Sequence, residues 1–516
     1  MDKDLLALQE VRDRLLRAKE AARALRGFSQ ERVDTICRAM AMAGSREAAR
    51  LARMAVEETG MGVVRSKEYK NRVASELLWD AIRDMKTVGV IGRDEANGVV
   101  ELAAPMGTVA AIIPTTNPTS TAIYKAIISL KARNPIVVSP HPRATRCIAE
   151  ACRVVGEAAE RAGAPRHAVQ CLEHVTLGAT QALMSHPLTG VILATGGPDL
   201  VKAAYSSGKP ALGVGAGNPP AIIDTSADIA LAARMLVLSQ TFDNGTICAS
   251  EQSIVCLRPL REAMLAELRR QGCHICSAEE IRKLEKIVVR GKRQNPAIVG
   301  QYPRKIAQMA GFRVPDDTTV LICEYEGVGF EHPLSIEKLS PILTFYTVSD
   351  LEAAIRQADA LLRFGGDGHT LAIYTQHEET VLRLADQLPA CRIMVNAPTS
   401  QGAVGFATAL LPSLTLGCGT FGNNISSNNI GPLDLINRKR VGWVRPEITR
   451  PDFDPDAFFA ELRARAYGVR ELGGPGPVRP YLHPKAAASN TAPRGVTLPK
   501  LERGQLERIL TRSLGG

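Results

Sequence analysis

Three observations predict an α/β protein built on parallel sheets. Short apolar segments alternate with helical ones from residue 107 to about residue 206, the order that lays helices over both faces of a sheet. The strand segments, such as Val109-Ala110-Ala111-Ile112-Ile113 and Ile136-Val137-Val138, are unbroken apolar runs, as strands buried on both sides require. Their ends then turn polar, at Thr115-Thr116-Asn117, Ser139-Pro140-His141-Pro142-Arg143 and Thr195-Gly196-Gly197. Ligands of such sheets sit at the carboxyl ends of the strands.

Taken in order, Leu5 to about Leu25 carries Leu, Val and Ala at helical spacing between charges, an amphipathic helix. A second helix starts after Ser29, a good N-cap, with Arg32 where a capping box would place Glu or Gln. A third covers Arg46 to Glu58 and stops at Thr59-Gly60. From Val88 to Leu102 the pattern shortens and alternates around Gly92 and Gly98, a hairpin or meander suited to an oligomer interface. The alternating section reads as strands from Gly107, Pro135, His167 and Gly190, followed by helices from Thr119, Ala144, Gly178 and Asp199. Asp454 and Pro455 then open one more helix, to about Ala466. Residues 473–477 and 484–494 form a linker rich in Gly, Pro, Ala and Ser. A terminal amphipathic helix follows, with Pro499 near its first turn, Leu506, Ile509, Leu510 and Leu514 on one face, and Arg503 intruding. It reads either as a docking peptide or as a tail that frays or packs on its own core.

A chain of 516 residues, 45% hydrophobic, has material for two or three domains with sizeable cores. It has no run approaching 18 apolar residues, and it opens on a charged helix rather than a signal peptide, so a soluble intracellular protein is expected. Eleven irregularly spaced cysteines suit reduced thiols better than a disulfide framework. Cys273 and Cys276 have CxxC spacing around His274, but no second pair accompanies them, so no metal site is expected. The net charge of +10 lies largely beyond Asn437, including Arg438-Lys439-Arg440. With aromatics at 4% and no basic run interleaved with them, a nucleic-acid surface is not expected. Phosphorylated cofactors or an acidic partner account for the charge as well.

The functional reading centres on Thr241-Phe242-Asp243-Asn244-Gly245-Thr246-Ile247-Cys248-Ala249-Ser250-Glu251. Asn244 and Gly245 allow a bend that lifts a thiol out of the fold, and small neighbours leave room for a substrate. A buried packing cysteine is the competing reading. The turn Thr195-Gly196-Gly197, opening a helix, offers backbone N–H groups to a pyrophosphate, with an ordinary βα loop as its competitor. Gly417-Cys418-Gly419-Thr420-Phe421-Gly422 matches GxGxxG in form, but a loop rather than a helix follows. It is read as a tight loop able to approach a ligand, not as a dinucleotide fingerprint.

These residues resemble the CoA-acylating aldehyde dehydrogenases of the aldehyde dehydrogenase superfamily. The resemblance rests on residues 113–121, 139–143 and 194–198, on Gly213-Val214-Gly215-Ala216-Gly217-Asn218, on Phe242 to Gln252, on Glu337-Lys338-Leu339-Ser340-Pro341 and on Leu414 to Gly422. It runs in order from about residue 5 to 445 and covers neither the linker nor the last helix. It implies two Rossmann-like parallel-sheet domains, a β-hairpin for oligomerisation and a carboxyl-terminal tail. Residues 1–236, with a hairpin at about 88–104 and completed by 415–450, would bind the dinucleotide. Residues 237–414 would be catalytic, 451–495 an extension and linker, and 496–516 the amphipathic helix. By position, Cys248 resembles the nucleophile and Asn117 the side-chain donor of the oxyanion hole, beside the Cys248 backbone N–H. Glu337 resembles the residue that holds the nicotinamide ribose, Ser139 and His141 the adenosine-ribose contacts, and Thr195, Gly196 and Gly213 further cofactor contacts.

The implied reaction joins a small aldehyde, NAD+ and CoA to give acyl-CoA and NADH through a thiohemiacetal and a thioester on the cysteine. Preorganised donors carry the charge on oxygen, each worth about 3 kcal/mol. Hydrolytic relatives activate water with the glutamate of a Glu-Leu-Gly-Gly-Lys stretch, where this chain has Gly213-Val214-Gly215-Ala216-Gly217. Water, with a pKa of about 15.7, needs such a base. A thiol, with a pKa of about 8.5, needs it far less. Transfer to CoA is therefore expected, with Glu251 as the base for a hydrolytic alternative and a scaffold on a degenerate enzyme fold as the rival outside enzymes. The resemblance extends to microcompartment-associated members whose terminal helix binds shell proteins, and to a homo-oligomer in the cytoplasm or a microcompartment lumen. NAD is expected over NADP. Small aliphatic aldehydes, lactaldehyde, succinic semialdehyde and sulfoacetaldehyde all remain open as substrates.

Overall fold

The computed structural model describes residues 3–467. The expected linker at 473–477 and 484–494 and the helix at 496–516 lie outside the described residues. The chain divides into two compact units, Met1–Ile91 with Leu102–Lys439, and Gly92–Glu101 with the chain from Arg440.

Helices α1 (Lys3–Arg26), α2 (Gln30–Arg46) and α3 (Ala48–Thr59) follow the apolar periodicity. In α1 the stripe Ala7, Val11, Leu15 and Ala18 is buried. The Ser29 hydroxyl caps α2 by accepting from Arg32 N at 3.3 Å. Arg32, unable to close a capping box, lies over the Phe28 ring and donates to the Gly163 carbonyl at 3.0 Å. Gly60, at φ +67°, ends α3.

The next helix is not visible in apolar periodicity. α4 (Val64–Arg72) continues through a π turn, Val73–Leu77, into α5 (Leu78–Ile82). Its inward face carries Lys67, Lys70, Asn71 and Ser75, all buried, so the apolar repeat that marks a helix is missing. Strands β1 (Gly89–Asp94) and β2 (Val99–Pro105) then form the expected hairpin, turning at Gly98 with φ +60°.

A five-stranded sheet follows, from β3 (Thr108–Ile113), β4 (Ile136–Pro140), β5 (Val169–Cys171), β6 (Thr189–Thr195) and β7 (Ala211–Val214). All pairings are parallel, in the order β5-β4-β3-β6-β7. The helices between them are α6 (Pro118–Lys131), α7 (Thr145–Arg161), α8 (Leu177–Ser185) and α9 (Pro198–Tyr205). Every residue of β3 is buried. Val109, Ala111 and Ile113 join a core with α2, α6 and α7, while Ala110 and Ile112 join another with α1, α8 and α9. This is the two-faced burial that unbroken apolar strands call for.

The second sheet has seven parallel strands in the order β10-β13-β14-β9-β8-β15-β16. In chain order they are β8 (Pro220–Ile223), β9 (Ser253–Leu257), β10 (His274–Ile275), then, after the small antiparallel ladder of β11 (Val289–Arg290) and β12 (Arg293–Gln294), β13 (Leu321–Glu324), β14 (Ile342–Val348), β15 (Leu371–Tyr374) and β16 (Ile393–Val395). α10 (Ile229–Thr241) connects β8 to β9. β17 (Ile436–Gly442) pairs with β2 to complete a three-stranded sheet with the hairpin. The basic run Arg438-Lys439-Arg440 lies on β17, where Arg440 pairs with Glu101 at 3.0 Å, so at least part of it serves the sheet. Pro455–Tyr467 is the expected late helix, and the Asp454 carboxylate accepts from Asp456 N at its start.

Lys125 joins α6 to the first sheet. Its Nζ, wholly buried, donates to the Ile112 and Leu193 carbonyls at 2.8 Å each, at the ends of β3 and β6. Burial holds its pKa well below the ordinary lysine value. Folding therefore releases a proton, and this group's contribution to stability grows as pH rises toward the unfolded lysine pKa of about 10.4. Lys125→Met should cost about 1–3 kcal/mol by stranding these carbonyls. It should also flatten that rise between pH 7 and 10, measured as urea midpoints across pH.

Candidate active site

α10 begins with the Asp228 carboxylate accepting from Leu231 N at 3.0 Å and ends at a bend where Asp243, Asn244 and Gly245 take φ +55°, +51° and +70° in succession. Three left-handed residues in a row reverse the chain between helix and strand. A Cβ on Gly245 would come within 3.2 Å of Ser340 backbone and the Gln240 carboxamide. From residue 243 to 257 only Cys248 keeps partial access to solvent.

Asn117 sits at the carboxyl end of β3, capping α6. Its Nδ2 lies 3.4 Å from the Thr246 carbonyl, two residues before Cys248, and its Oδ1 accepts from Lys70 Nζ at 2.6 Å. Gly217 bridges Cys248 to Glu337: its N–H donates to Glu337 Oε1 at 3.0 Å, and a Cβ there would stand 2.0 Å from the Cys248 carbonyl oxygen. The structure thus brings Cys248, Asn117 and Glu337 together.

Burial pushes the Cys248 thiol up to about 12, Glu337 adds to the rise, and Arg392 opposes it. Burial likewise lifts the Glu337 carboxyl to about 8 against the Gly217 N–H and the Lys338 charge. His369 lies on the same glycine, its Cγ 3.2 Å from the Gly217 Cβ position. It is fully buried, with Nδ1 at 2.9 Å from the Thr370 hydroxyl and Nε2 without a partner, and burial lowers it to about 3, so it is neutral. Glu251 Oε1 accepts from Thr399 N at 2.9 Å, and burial raises the carboxyl to about 7.

At the carboxyl ends of the first sheet, Thr195 closes β6, its hydroxyl 3.4 Å from that of Thr415, and Gly196 and Gly197 lead into α9. A Cβ on Gly197 or on Gly215 would meet nothing within 4 Å, so open space borders both turns. Gly213 is spent differently. A Cβ there would stand 2.9 Å from Val201 and 3.1 Å from Tyr205, so the glycine lets α9 pack on β7, and its N–H donates to the Tyr205 hydroxyl. Ser139 is 1% exposed and shares a 2.9 Å hydrogen bond with Thr180, while His141 is exposed and its Nδ1 accepts from Arg143 N.

The glycines at 417–422 hold a tight loop, as read from the sequence. A Cβ on Gly417 would stand 2.2 Å from the Ser426 carbonyl oxygen, and one on Gly422 2.6 Å from that of Asp367. Buried Arg392 braces the loop from Nη2 to the Gly417 carbonyl at 2.6 Å. Of the CxxC pair, Cys273 contacts Thr319, while His274, Cys276 and Glu280 place donor atoms within 4.8 Å of one another. Glu280 Oε2 already accepts from Ser277 N in a capping box and meets His274 Nε2 at 3.1 Å.

Sequence reasoning missed Lys67, Lys70 and Asp243. The Asp243 carboxylate takes Lys67 Nζ at 2.9 Å, Lys70 Nζ and the Thr246 hydroxyl on Oδ2, and Val63 N on Oδ1. Burial works against its ionisation, but the two ammonium groups outweigh it and hold the carboxyl below its ordinary range.

A model of the aldehyde dehydrogenase family matches residues 6–274, just over half of the chain. The chain belongs to the aldehyde dehydrogenase family. Among its curated relatives is the bifunctional aldehyde-alcohol dehydrogenase AdhE of Escherichia coli, 45% identical over 430 residues that cover 82% of this chain and 48% of that protein. The chain thus spans about half the length of that relative. An acetylating aldehyde dehydrogenase from Geobacillus thermoglucosidasius superposes with a TM-score of 0.85 at 50% identity, covering 87% of this chain and 99% of the other. A propionaldehyde dehydrogenase from the fucose utilisation microcompartment of Clostridium phytofermentans gives 0.76 at 30% identity, covering 84% and 97%.

The raised Cys248 thiol of this aldehyde dehydrogenase family member carries a direct expectation. Alkylation of Cys248 by iodoacetamide in the free protein should rise about tenfold per pH unit from 7 to 10 without a plateau, because only the thiolate reacts. Mass spectrometry of the Cys248 peptide checks it.

Proposed function

We propose that this chain is a CoA-acylating aldehyde dehydrogenase, which oxidises an aldehyde with NAD+ and hands the acyl group to CoA. One observation carries the reading. The Asn117 amide lies 3.4 Å from the Thr246 carbonyl and Gly217 lies against the Cys248 carbonyl, so both adjoin the Cys248 turn, while Gly213 stands where the resemblance puts a water-activating glutamate. The acetylating relative of known structure supports it.

In this reading the Cys248 thiolate forms the S–C bond to the aldehyde carbonyl, and the Asn117 amide with the Cys248 N–H holds the oxygen as it becomes negative. The Thr195-Gly196-Gly197 turn and Glu337 would hold a dinucleotide, Glu337 by its nicotinamide ribose, and the nicotinamide would supply the hydride acceptor. NAD is preferred to NADP. Residues 1–236 and 415–450 would hold it, with Ser139 and His141 around the adenosine ribose and Gly213 as a further cofactor contact, and residues 237–414 would carry the acyl group. The thioester left on Cys248 is released by the CoA thiol, which needs less help from a base than water does. Among the described residues no helix is long and apolar enough to cross a membrane.

Steady NADH formation from small aldehydes should require CoA, and without it NADH should stop near one equivalent per Cys248. Undiminished turnover without CoA overturns the reading. Cys248→Ala should abolish turnover, and Asn117→Ala should lower kcat about 10²–10³-fold.

A homo-oligomer and, through residues 496–516, attachment to microcompartment shell proteins are part of the same proposal, supported by the linker-plus-helix pattern and the microcompartment relative. Deleting residues 496–516 should leave turnover intact and remove co-sedimentation with shell proteins.

A further inference from the structure

A polar cluster lies beneath the Cys248 turn. Lys67 and Lys70, one helical turn apart on α4, both reach the single carboxylate of Asp243. All three are at most 3% exposed. Gly62 makes room for it, since a Cβ there would stand 2.0 Å from Asp243 Oδ1. Lys67 spends a further proton on the Thr116 carbonyl at 2.9 Å, and Lys70 spends its own on the Thr246 hydroxyl at 3.1 Å and on Asn117 Oδ1 at 2.6 Å. Two ammonium groups thus share one carboxylate, and a positive charge remains beside the bend that carries Cys248.

We propose that Lys70 is a positioning residue: by clamping Asn117 Oδ1 it fixes which way the amide faces, so that Nδ2, which in the free protein meets the Thr116 hydroxyl at 3.2 Å and the Thr246 carbonyl at 3.4 Å, is the atom that turns an N–H to a substrate oxygen at Cys248. This rests on the assignment of Asn117 as oxyanion donor and Cys248 as nucleophile. An asparagine amide can exchange its oxygen and nitrogen by a half-turn at almost no steric cost, and the flipped form would aim a lone pair at the developing oxyanion. An ammonium on Oδ1 forbids that flip, because two donors would then face each other. It also polarises the amide, so the N–H on the far side becomes a stronger donor. Burial lowers the Lys70 ammonium to about 8, and the Asp243 carboxylate opposes the fall. Asn71 steadies the other side of the clamp, accepting the Thr119 hydroxyl at 2.8 Å in the first turn of α6.

The test is a double-mutant cycle on the full-length enzyme, with single-turnover NADH formation from aldehyde as readout. Lys70→Met should lower that rate and kcat 10–100-fold while KM for aldehyde and CoA and the Kd for NAD+ stay within about twofold. In the Asn117→Ala background it should add less than about twofold, because a clamp without an amide has nothing to orient. Lys70→Met with Asp243→Asn restores the cluster's net charge without restoring the clamp, and should remain as slow as Lys70→Met alone. Full additivity of Lys70→Met and Asn117→Ala, recovery in the charge-matched pair, or a Lys70→Met enzyme as fast as wild type would each overturn the proposal. Should Lys70→Met fail to fold, Lys70→Gln keeps a donor without the charge and should retain more turnover than Lys70→Ala. Equal rates for those two would count against the clamp. Wild-type NADH formation with aldehyde and CoA tests the underlying reaction separately: its absence sinks that reading, whereas an active wild type matched by Lys70→Met sinks only the clamp.

Discussion

Two ammonium groups and one carboxylate meet in the interior, under the turn that leads to Cys248. Desolvating such a trio is costly, and removing one member of a buried pair typically costs about 3–5 kcal/mol. The arrangement persists because Asp243 also takes the Val63 N–H and the Thr246 hydroxyl, leaving few of its lone pairs unmet. The surrounding geometry depends on this trio. Asp243 and Asn244 are held left-handed, α4 is drawn against the bend, and the Asn117 amide is caught between Lys70 and the Thr246 carbonyl.

That constraint explains why a helix with a polar inner face lies in the interior at all. α4 and its π turn bury Lys67, Lys70, Asn71 and Ser75, each with a partner in a neighbouring segment or one turn back. Buried polar networks of this kind are favourable only when every member is satisfied. The π turn, an extra residue in the helical repeat, re-phases α5, so that Leu78 and Ile82 return to the apolar core while the preceding turns serve the polar one.

Much of the first sheet was legible from residues 107–206, where unbroken apolar strands and amphipathic helices each carry their own period. The second sheet was not. β10 has two residues and β8, β13 and β15 four each, too short for a pattern to stand out, and that domain was anticipated only through family resemblance. Cys248 stood out by its small neighbours and the Asn-Gly bend. Asp243, directly before that bend, reads as an ordinary turn residue, because nothing local reveals the two lysines 173 and 176 positions away. Gly213 and Ser139 also carry packing duties that no local pattern announces, since α9 lies against the one and the Thr180 hydroxyl bonds the other.

The enclosed setting of Cys248 also bears on how the protein endures. Peroxide attacks sulfur in its anionic form, so a group that holds its proton in the resting state is oxidised slowly to sulfenic acid. Lifted to about 12, the thiol is a poor target while the site is idle. Susceptibility then rises when the proton leaves in turnover, which ties oxidant sensitivity to the catalytic cycle.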